Sequence, residues 1–347
     1  MTKEAFIGSR PVGPGHPCYV IAEVGTTCLG NLEMALELVE AGATAGVDAV
    51  KFQVIDPHQD SRSEQTYGAV VGGEATQLNM REMFSQLQFD VGEWRTIARA
   101  CANAGVEFLA TVDYLAGVDM LEELGMVAHK IGAWDTTYRP LIERIGATGK
   151  PMIVDLGPTT QSELDELTTW YLDAGGSAVL FLHDYHTDVM AEVNMRAVTH
   201  LIESQPWPVG YSSPNRHETL DYVALGLGAS IVEKRLILDR DTVAFHAHES
   251  LEPSEFVVWL DRFRAADVAL GEPAIRPSTL DTEYSSDYYR SLCTIAPVRA
   301  GEPLTTANLD ARRPGTGLAP ARIGEFLGRT AARDLAVNTL ITVDDVA

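Results

Sequence analysis

The sequence predicts a (β/α)8 barrel followed by a small β-rich domain. Three observations point there. Eight short apolar runs recur along roughly the first 270 residues, the length such a barrel occupies. Amphipathic segments lie between them, and several end in glycine. Past residue 271 the chain turns polar, and a shorter unit with strand-like pieces and many turn residues completes its 347 residues. A doubly wound open sheet is the alternative, and the count of eight argues against it.

The strands are expected at Tyr19–Val24, Ala49–Val54, Glu107–Val112, Ala128–Ala133, Met152–Leu156, Ala178–His183, Val209–Ser213 and Ser230–Leu238. Each run is largely hydrophobic, as parallel strands covered on both faces are. Helical patterns at Leu32–Ala45, Trp94–Ala104, Gln161–Asp173 and Glu218–Leu227 connect them. Gly105, Gly149 and Gly228 close helical segments, which is helix-cap chemistry feeding the next strand. One connection, from Ile55 to about Asn79, is long, polar and glycine-rich, and reads as a lid, a binding loop or a disordered segment. A helix over Ser254–Leu270 ends the barrel domain, residues 1–271. Residues 272–290 read as a linker and residues 291–347 as the second domain. That domain has about 57 residues, marginal alone, and is expected to dock on a barrel.

The net charge of −23 argues against nucleic acid or an anionic membrane as partner. It leaves an anionic small molecule open, because a few buried Lys or Arg make a local positive site. The start, Met1-Thr-Lys-Glu-Ala-Phe6, lacks the apolar core of a signal peptide. No run reaches the roughly 18 apolar residues of a membrane span. Cys18, Cys28, Cys101 and Cys293 are scattered without CxxC spacing. Free thiols and a cytoplasmic location are the expectation.

In a barrel of this kind, reactive groups sit at the C-terminal strand ends and in the loops that follow. Those ends carry Glu23, Lys51, Thr111, Lys130, Asp135, Asp155, His183, Ser212, Glu233 and Arg235. Three charges, Glu233, Lys234 and Arg235, fall inside one apolar strand, which is unfavourable unless they are paired or used. Lys51 and Lys130 with hydroxyl donors suit a phosphate or carboxylate. The other reading of the same residues is a structural ion-pair network of Lys51 and Lys130 with Glu23, Asp155 and Glu233. No Walker loop, GxGxxG or HExxH occurs.

Several stretches, in order along nearly the whole chain, resemble the sialic acid synthase family. They are Ile21-Ala-Glu-Val-Gly25, Asp48-Ala-Val-Lys-Phe-Gln53, His129-Lys-Ile131, Val193-Asn-Met-Arg196, Val209-Gly-Tyr-Ser212, Ile231-Val-Glu-Lys234, Ser250-Leu-Glu-Pro253 and Arg313-Pro-Gly-Thr-Gly317. The resemblance implies a barrel that condenses phosphoenolpyruvate with an amino sugar, and a C-terminal antifreeze-like (SAF) module. It implies that Lys51, Lys130, Thr111 and Ser212 hold the donor's phosphate, and that Asp135 is the acidic residue following the second lysine. It also implies a domain-swapped homodimer in which Arg313 reaches the sugar in the partner's barrel.

The chain departs from that pattern in chemically important places. Ala133 and Asp155 stand where the family has serines, and a carboxylate repels phosphate. Pro214 and Arg235 stand where the family has the two histidines of its Mn²⁺ site, so no metal is expected at that position. His246 and His248 appear where the family has none, which makes them candidates for a relocated divalent-metal site; no other cofactor is implied. The expected function is therefore a carbon–carbon bond-forming enzyme that condenses a small 2-oxo acid donor with a sugar or other aldehyde, with altered substrate. Glu23, Lys130 and Asp135 orient and protonate the substrate in this reading, Lys51, Thr111 and Ser212 hold an anionic group, and Asp155, His183 and Glu233 line the pocket. Arg235 acts as a fixed cation paired with Glu233, Asp155 or Asp184. The rivals are a Schiff-base aldolase or lyase on Lys51 or Lys130 and a non-catalytic sugar-acid-binding paralogue.

Overall fold

The computed structural model describes residues 4–60, 62, 64–71, 74–187, 189–242 and 244–347. The chain forms two compact units, one running to Gly271 and the other from Glu272 to Ala347.

The first unit opens with an antiparallel pair, β1 (Ala5–Ile7) and β2 (Arg10–Val12), too short to stand out in the sequence. Ile7 and Val12 are fully buried in the main core. Strands β3 (Tyr19–Glu23) and β4 (Ala49–Val54) follow. The long connection after β4 was expected to be a loop. It contains a short helix, Pro57–Asp60, and an antiparallel pair, β5 (Thr66–Val71) and β6 (Glu74–Asn79). Its polar, glycine-rich composition hid the pairing. The barrel then continues through β7 (Glu107–Val112), β8 (His129–Ile131), β9 (Met152–Asp155), β10 (Val179–His183), β11 (Val209–Ser213) and β12 (Ile231–Arg235). All eight barrel strands are parallel, and β12 pairs with β3 to close the ring.

The core is what the apolar runs dictate. Val20, Ile21, Phe52, Ile153, Phe181, Leu182, Tyr211 and Val232 are fully buried, and each large apolar side chain removed from water stabilises the fold by about 1.5–3 kcal/mol. At the strand starts, Asp48 accepts hydrogen bonds from Val20 N at 2.7 Å and Arg264 Nη2 at 2.6 Å and also pairs with Arg10. That buried carboxylate ties β2 and the last barrel helix, Pro253–Leu270, to the sheet.

The charged eighth strand resolves by its period of two. Lys234 faces out of the barrel. It donates to Asp221 at 2.8 Å, on the helix Thr219–Leu227, and to Ser213 Oγ at 3.0 Å, and Trp259 Nε1 donates to the same Asp221 oxygen at 2.9 Å. Lys234 is therefore a structural charge. Glu233 and Arg235, on either side of it, belong to the opposite face.

In the second unit, β13 (Ser291–Thr294) pairs antiparallel with β14 (Leu309–Arg312). Leu292, Val298, Leu304, Leu309, Phe326, Leu335 and Ile341 form its own core. The stretch expected as a linker contains a helix, Thr279–Tyr288, capped by reciprocal hydrogen bonds between Ser278 and Asp281. It buries none of its residues, so it lacks the apolar stripe by which a helix is read from sequence.

Candidate active site

Neighbouring strand ends bring five charged groups together inside the barrel. Glu23 ends β3, and its Oε1 accepts from Gly25 N at 2.9 Å while its other oxygen pairs with Lys51 on β4. Lys51 Nζ donates to Thr111 Oγ1 on β7 at 3.1 Å and lies 3.6 Å from Glu233 Oε1 on β12. The other oxygen of Glu233 accepts from Lys130 Nζ, on β8, at 2.6 Å. Lys130 also lies 2.9 Å from Asp155 Oδ2 at the end of β9. Glu233 thus bridges two lysines across the barrel, and both ammonium groups are almost wholly buried.

Three carboxylates face two ammonium groups in this chain, so its electrostatics are uneven. Burial opposes the charge on Glu233, but Lys130 and Lys51 outweigh it and hold the carboxyl below its ordinary range. Burial likewise opposes the charge on Lys130, and Asp155 and Glu233 more than compensate, so it stays an ammonium ion. Burial pushes Asp155 up despite Lys130, and its Oδ1 has no hydrogen-bond partner. Of the two carboxylates that share Lys130, Asp155 is thus the one whose charge is less well satisfied. Asp184, just past β10, is pushed up to about 7 by burial and by Asp155. Asp135, in the turn Ala133–Asp135 after β8, is raised to about 6 by burial alone.

The other sequence-predicted residues divide. Ser212 is half-buried and in register with Glu233 across β11 and β12. His183 donates Nε2–H to Val193 O at 2.8 Å, and burial holds its pKa down, so it stands as a neutral ring anchored to the backbone. Arg313 belongs to the second unit, where its Nε donates to Tyr288 O at 2.6 Å.

Arg235 pairs with none of its three expected partners. Its Nη1 donates to Glu249 Oε2 at 2.7 Å and to the carbonyl of Pro214 at 3.1 Å. His246, with a left-handed backbone at φ 60°, brings Nδ1 within 2.7 Å of that same Glu249 oxygen. Burial pushes the Glu249 carboxyl up, but His246 and Arg235 outweigh it and hold it below the ordinary carboxylate range. Sequence reasoning missed Glu249 because it lies 14 residues beyond Arg235 in a loop with no periodicity; its only signal was a glutamate directly after the His246-Ala-His248 stretch.

This arrangement bears on the metal. At the position corresponding to the family's site there is a guanidinium and a proline carbonyl, and a fixed positive charge there does not fit a divalent cation. The relocated site fares no better: His246 and Arg235 both engage Glu249, and His248 is exposed, 3.6 Å from Glu249 Oε1. Among the described residues, no three His, Cys, Asp or Glu side chains group to hold a metal.

A closed parallel barrel with its charged groups at the strand ends, joined to a C-terminal SAF unit, defines the class. The SAF domain family matches residues 289–347. The NeuB family matches residues 38–274, and the chain belongs to that family. Over 327 residues it is 27% identical to N,N'-diacetyllegionaminic acid synthase of Campylobacter jejuni, covering 93% of this chain and 98% of the relative. It is 26% identical to human N-acetylneuraminate-9-phosphate synthase, covering 76% and 74% of the two chains. Among solved structures, the N-acetylneuraminic acid synthetase of Leptospira borgpetersenii, a citrate complex, has a TM-score of 0.73 at 22% identity, covering 82% of this chain and 95% of that one; this likeness concerns the fold. Among the described residues, no helix is long and apolar enough to cross a membrane.

Proposed function

We propose that this protein joins a small 2-oxo acid donor, in its enol form, to the aldehyde of a sugar, and that it does so with a guanidinium where its relatives' family pattern has a metal. The observation that carries this is the Glu233 bridge between Lys51 and Lys130, with Asp155 on the second lysine. In the condensation, the electron pair of the donor's C2=C3 bond forms the new bond from C3 to the aldehyde carbon, C2 becomes a carbonyl as the enol hydroxyl gives up its proton, and the aldehyde oxygen becomes a hydroxyl by taking a proton. Lys51, Thr111 and Ser212 hold the donor's anionic end. Asp135, whose carboxyl keeps its proton up to about pH 6, supplies the proton. Arg235, held by Glu249 and the Pro214 carbonyl, stabilises the negative charge that develops on the aldehyde oxygen.

The excess carboxylate makes the site a poor host for a phosphate dianion, so a donor of low charge is favoured over a phosphorylated one. A Schiff base on Lys130 is disfavoured, because two carboxylates keep that nitrogen protonated and non-nucleophilic. Arg313 completes the acceptor contacts from the SAF unit of a second copy, a role carried over from the family pattern at Arg313-Pro-Gly-Thr-Gly317.

The test is a condensation screen with the full-length protein. [3-13C]Pyruvate and phosphoenolpyruvate are each offered with N-acetylmannosamine and other 2-acetamido hexoses, without added metal, and products are read by mass and by the shift of the labelled carbon. A chelator-insensitive product three carbons longer than the sugar supports the reading. No product from any pair, while Lys130 is trapped by borohydride in the presence of pyruvate, would overturn it in favour of Schiff-base chemistry.

A further inference from the structure

The condensation needs its donor as an enol, and a 2-oxo acid becomes one only when a base removes a proton from C3. Most carboxyls at the strand ends are already engaged by a cation. Glu23, Glu233 and Asp155 lie against lysines, and Glu249 lies against Arg235. Asp184, which follows β10, is different. Its side chain is only 10% exposed, and the ionic partner at its carboxyl is a histidine, with His186 Nε2 3.4 Å from Oδ2. It still belongs to the same charged site, since it interacts electrostatically with Asp155, Lys130 and Glu233 and with Arg235. A buried carboxylate that no ammonium or guanidinium clamps is the stronger base.

His186 carries this pair towards solvent. Its side chain is 43% exposed, and its ring stacks on Trp134 with centroids 5.0 Å apart and planes 25° off parallel. Gly157, at φ 40°, leaves room for the ring; a Cβ there would reach within 3.1 Å of His186 Cε1. Burial, Arg235 and His246 hold the His186 pKa below its ordinary value against the pull of Glu249, so the ring is neutral and able to accept a proton.

We infer that Asp184 is the base that removes the donor's C3 proton, and that His186 relays that proton to solvent. The inference rests on the condensation reading and supplies its enol-forming step. The C3–H bond breaks, its proton goes to Asp184, and its electron pair becomes the C2=C3 bond. The C2 oxygen takes a proton from Lys130, and the lysine regains it when the C2 carbonyl re-forms in the condensation. The proton on Asp184 passes to His186 Nε2 and leaves from the exposed ring. Burial and Asp155 push the Asp184 carboxyl up to about 7, against Lys130 and Arg235, which suits a group that must both take and release a proton near neutrality.

The experiment follows exchange of the methyl protons of pyruvate in D2O by proton NMR, with the full-length protein and no acceptor. Wild type, Asp184→Asn and His186→Phe are compared, and circular dichroism checks the fold. Wild type should exchange the methyl faster than buffer, with a rate that rises with pH through about 7 as the base ionises and then levels. Asp184→Asn should lose at least about a hundredfold. His186→Phe keeps an aromatic ring but cannot carry a proton. It should slow exchange, and added imidazole should restore it, which a purely structural role would not allow. A wild type no faster than buffer overturns the inference, as does a folded Asp184→Asn at the wild-type rate. Should Asp184→Asn not fold, a wild-type rate that is flat across pH 7 overturns it instead. A His186→Phe rate equal to wild type, or one that imidazole does not raise, overturns the relay. Exchange that depends on Asp184 without any condensation would leave this inference standing and sink the proposed reaction; condensation from pyruvate that is indifferent to Asp184→Asn would do the reverse.

Discussion

Arg235 and Glu249 form a 2.7 Å ion pair that joins the last barrel strand to the loop behind it, and His246 holds the same carboxylate oxygen. The guanidinium is thereby oriented from one side and positioned by the Pro214 carbonyl from another. A charge this constrained is suited to stabilising an oxyanion, because little reorganisation is left to the reaction step.

Loss of the holder should therefore be felt in turnover. Glu249→Gln keeps the shape but removes the charge that fixes Arg235. Misplacement of a charged group by about 1 Å can lower a rate by as much as about a hundredfold. We expect kcat to fall tenfold or more with KM for the donor little changed, and Glu249→Asp to recover part of it. Steady-state kinetics with the active substrate pair checks this; unchanged kcat in Glu249→Gln assigns the pair to structure alone.

Asp155 should set the donor's charge. It adds a third carboxylate to two lysines. Asp155→Ser removes that charge and leaves a hydroxyl donor in its place. Affinity for phosphoenolpyruvate should rise by roughly tenfold, equivalent to about 1.4 kcal/mol. Calorimetric titration of the variant and wild type measures it, and equal affinities would show that Asp155 is already neutral when the donor binds.

The outward charge of β12 makes the opposite prediction. Lys234 and Asp221 are both fully buried, and removal of one partner leaves an uncompensated charge. Lys234→Met should destabilise the protein by about 3–5 kcal/mol, while the folded fraction keeps its kcat. The double variant Lys234→Met, Asp221→Leu should regain much of that stability. Thermal and urea unfolding alongside kinetics separates the two effects.

Asp135 gives a pH signature. Its folded pKa of about 6 lies above the ordinary carboxyl value of 3.8, so the native state binds the proton more tightly than the unfolded chain. Its contribution to stability is then present at low pH and lost as pH rises through about 6. Asp135→Asn should melt a few degrees above wild type at pH 8, and the advantage should shrink towards pH 4. The acid role also requires the wild-type rate to decline above about pH 6, and Asp135→Asn should lose that dependence. A wild-type rate that climbs through that range would identify Asp135 as a base.

Much of this was legible in the residues. Apolar runs alternating with helical segments, several of which end in glycine, mark parallel strands because burial on both faces leaves no room for alternation within a strand, and that logic located all eight. The same logic placed Glu23, Lys51, Lys130, Asp155 and Glu233 at one end of the barrel, where the structure brings them within contact. What stayed hidden lacked a period. Glu249 reaches Arg235 from a loop, the hairpin β5–β6 is polar and rich in glycine, and the helix Thr279–Tyr288 has no buried stripe to announce it. The stack of Trp134 on His186 joins loops 52 residues apart (186 − 134), and no sequence pattern links them.

The central claim is that a fixed guanidinium takes the place of a metal ion, and Mn²⁺ binding tests it most directly. The full-length protein is stripped with chelator, then titrated with Mn²⁺ while the free-ion signal is followed by electron paramagnetic resonance at pH 7.5. The account predicts that stoichiometric protein leaves the free signal undiminished, and that Arg235→His alone does not change this, because Pro214 still contributes no side-chain donor. Loss of about one equivalent of free Mn²⁺ per wild-type chain at micromolar concentration would contradict it.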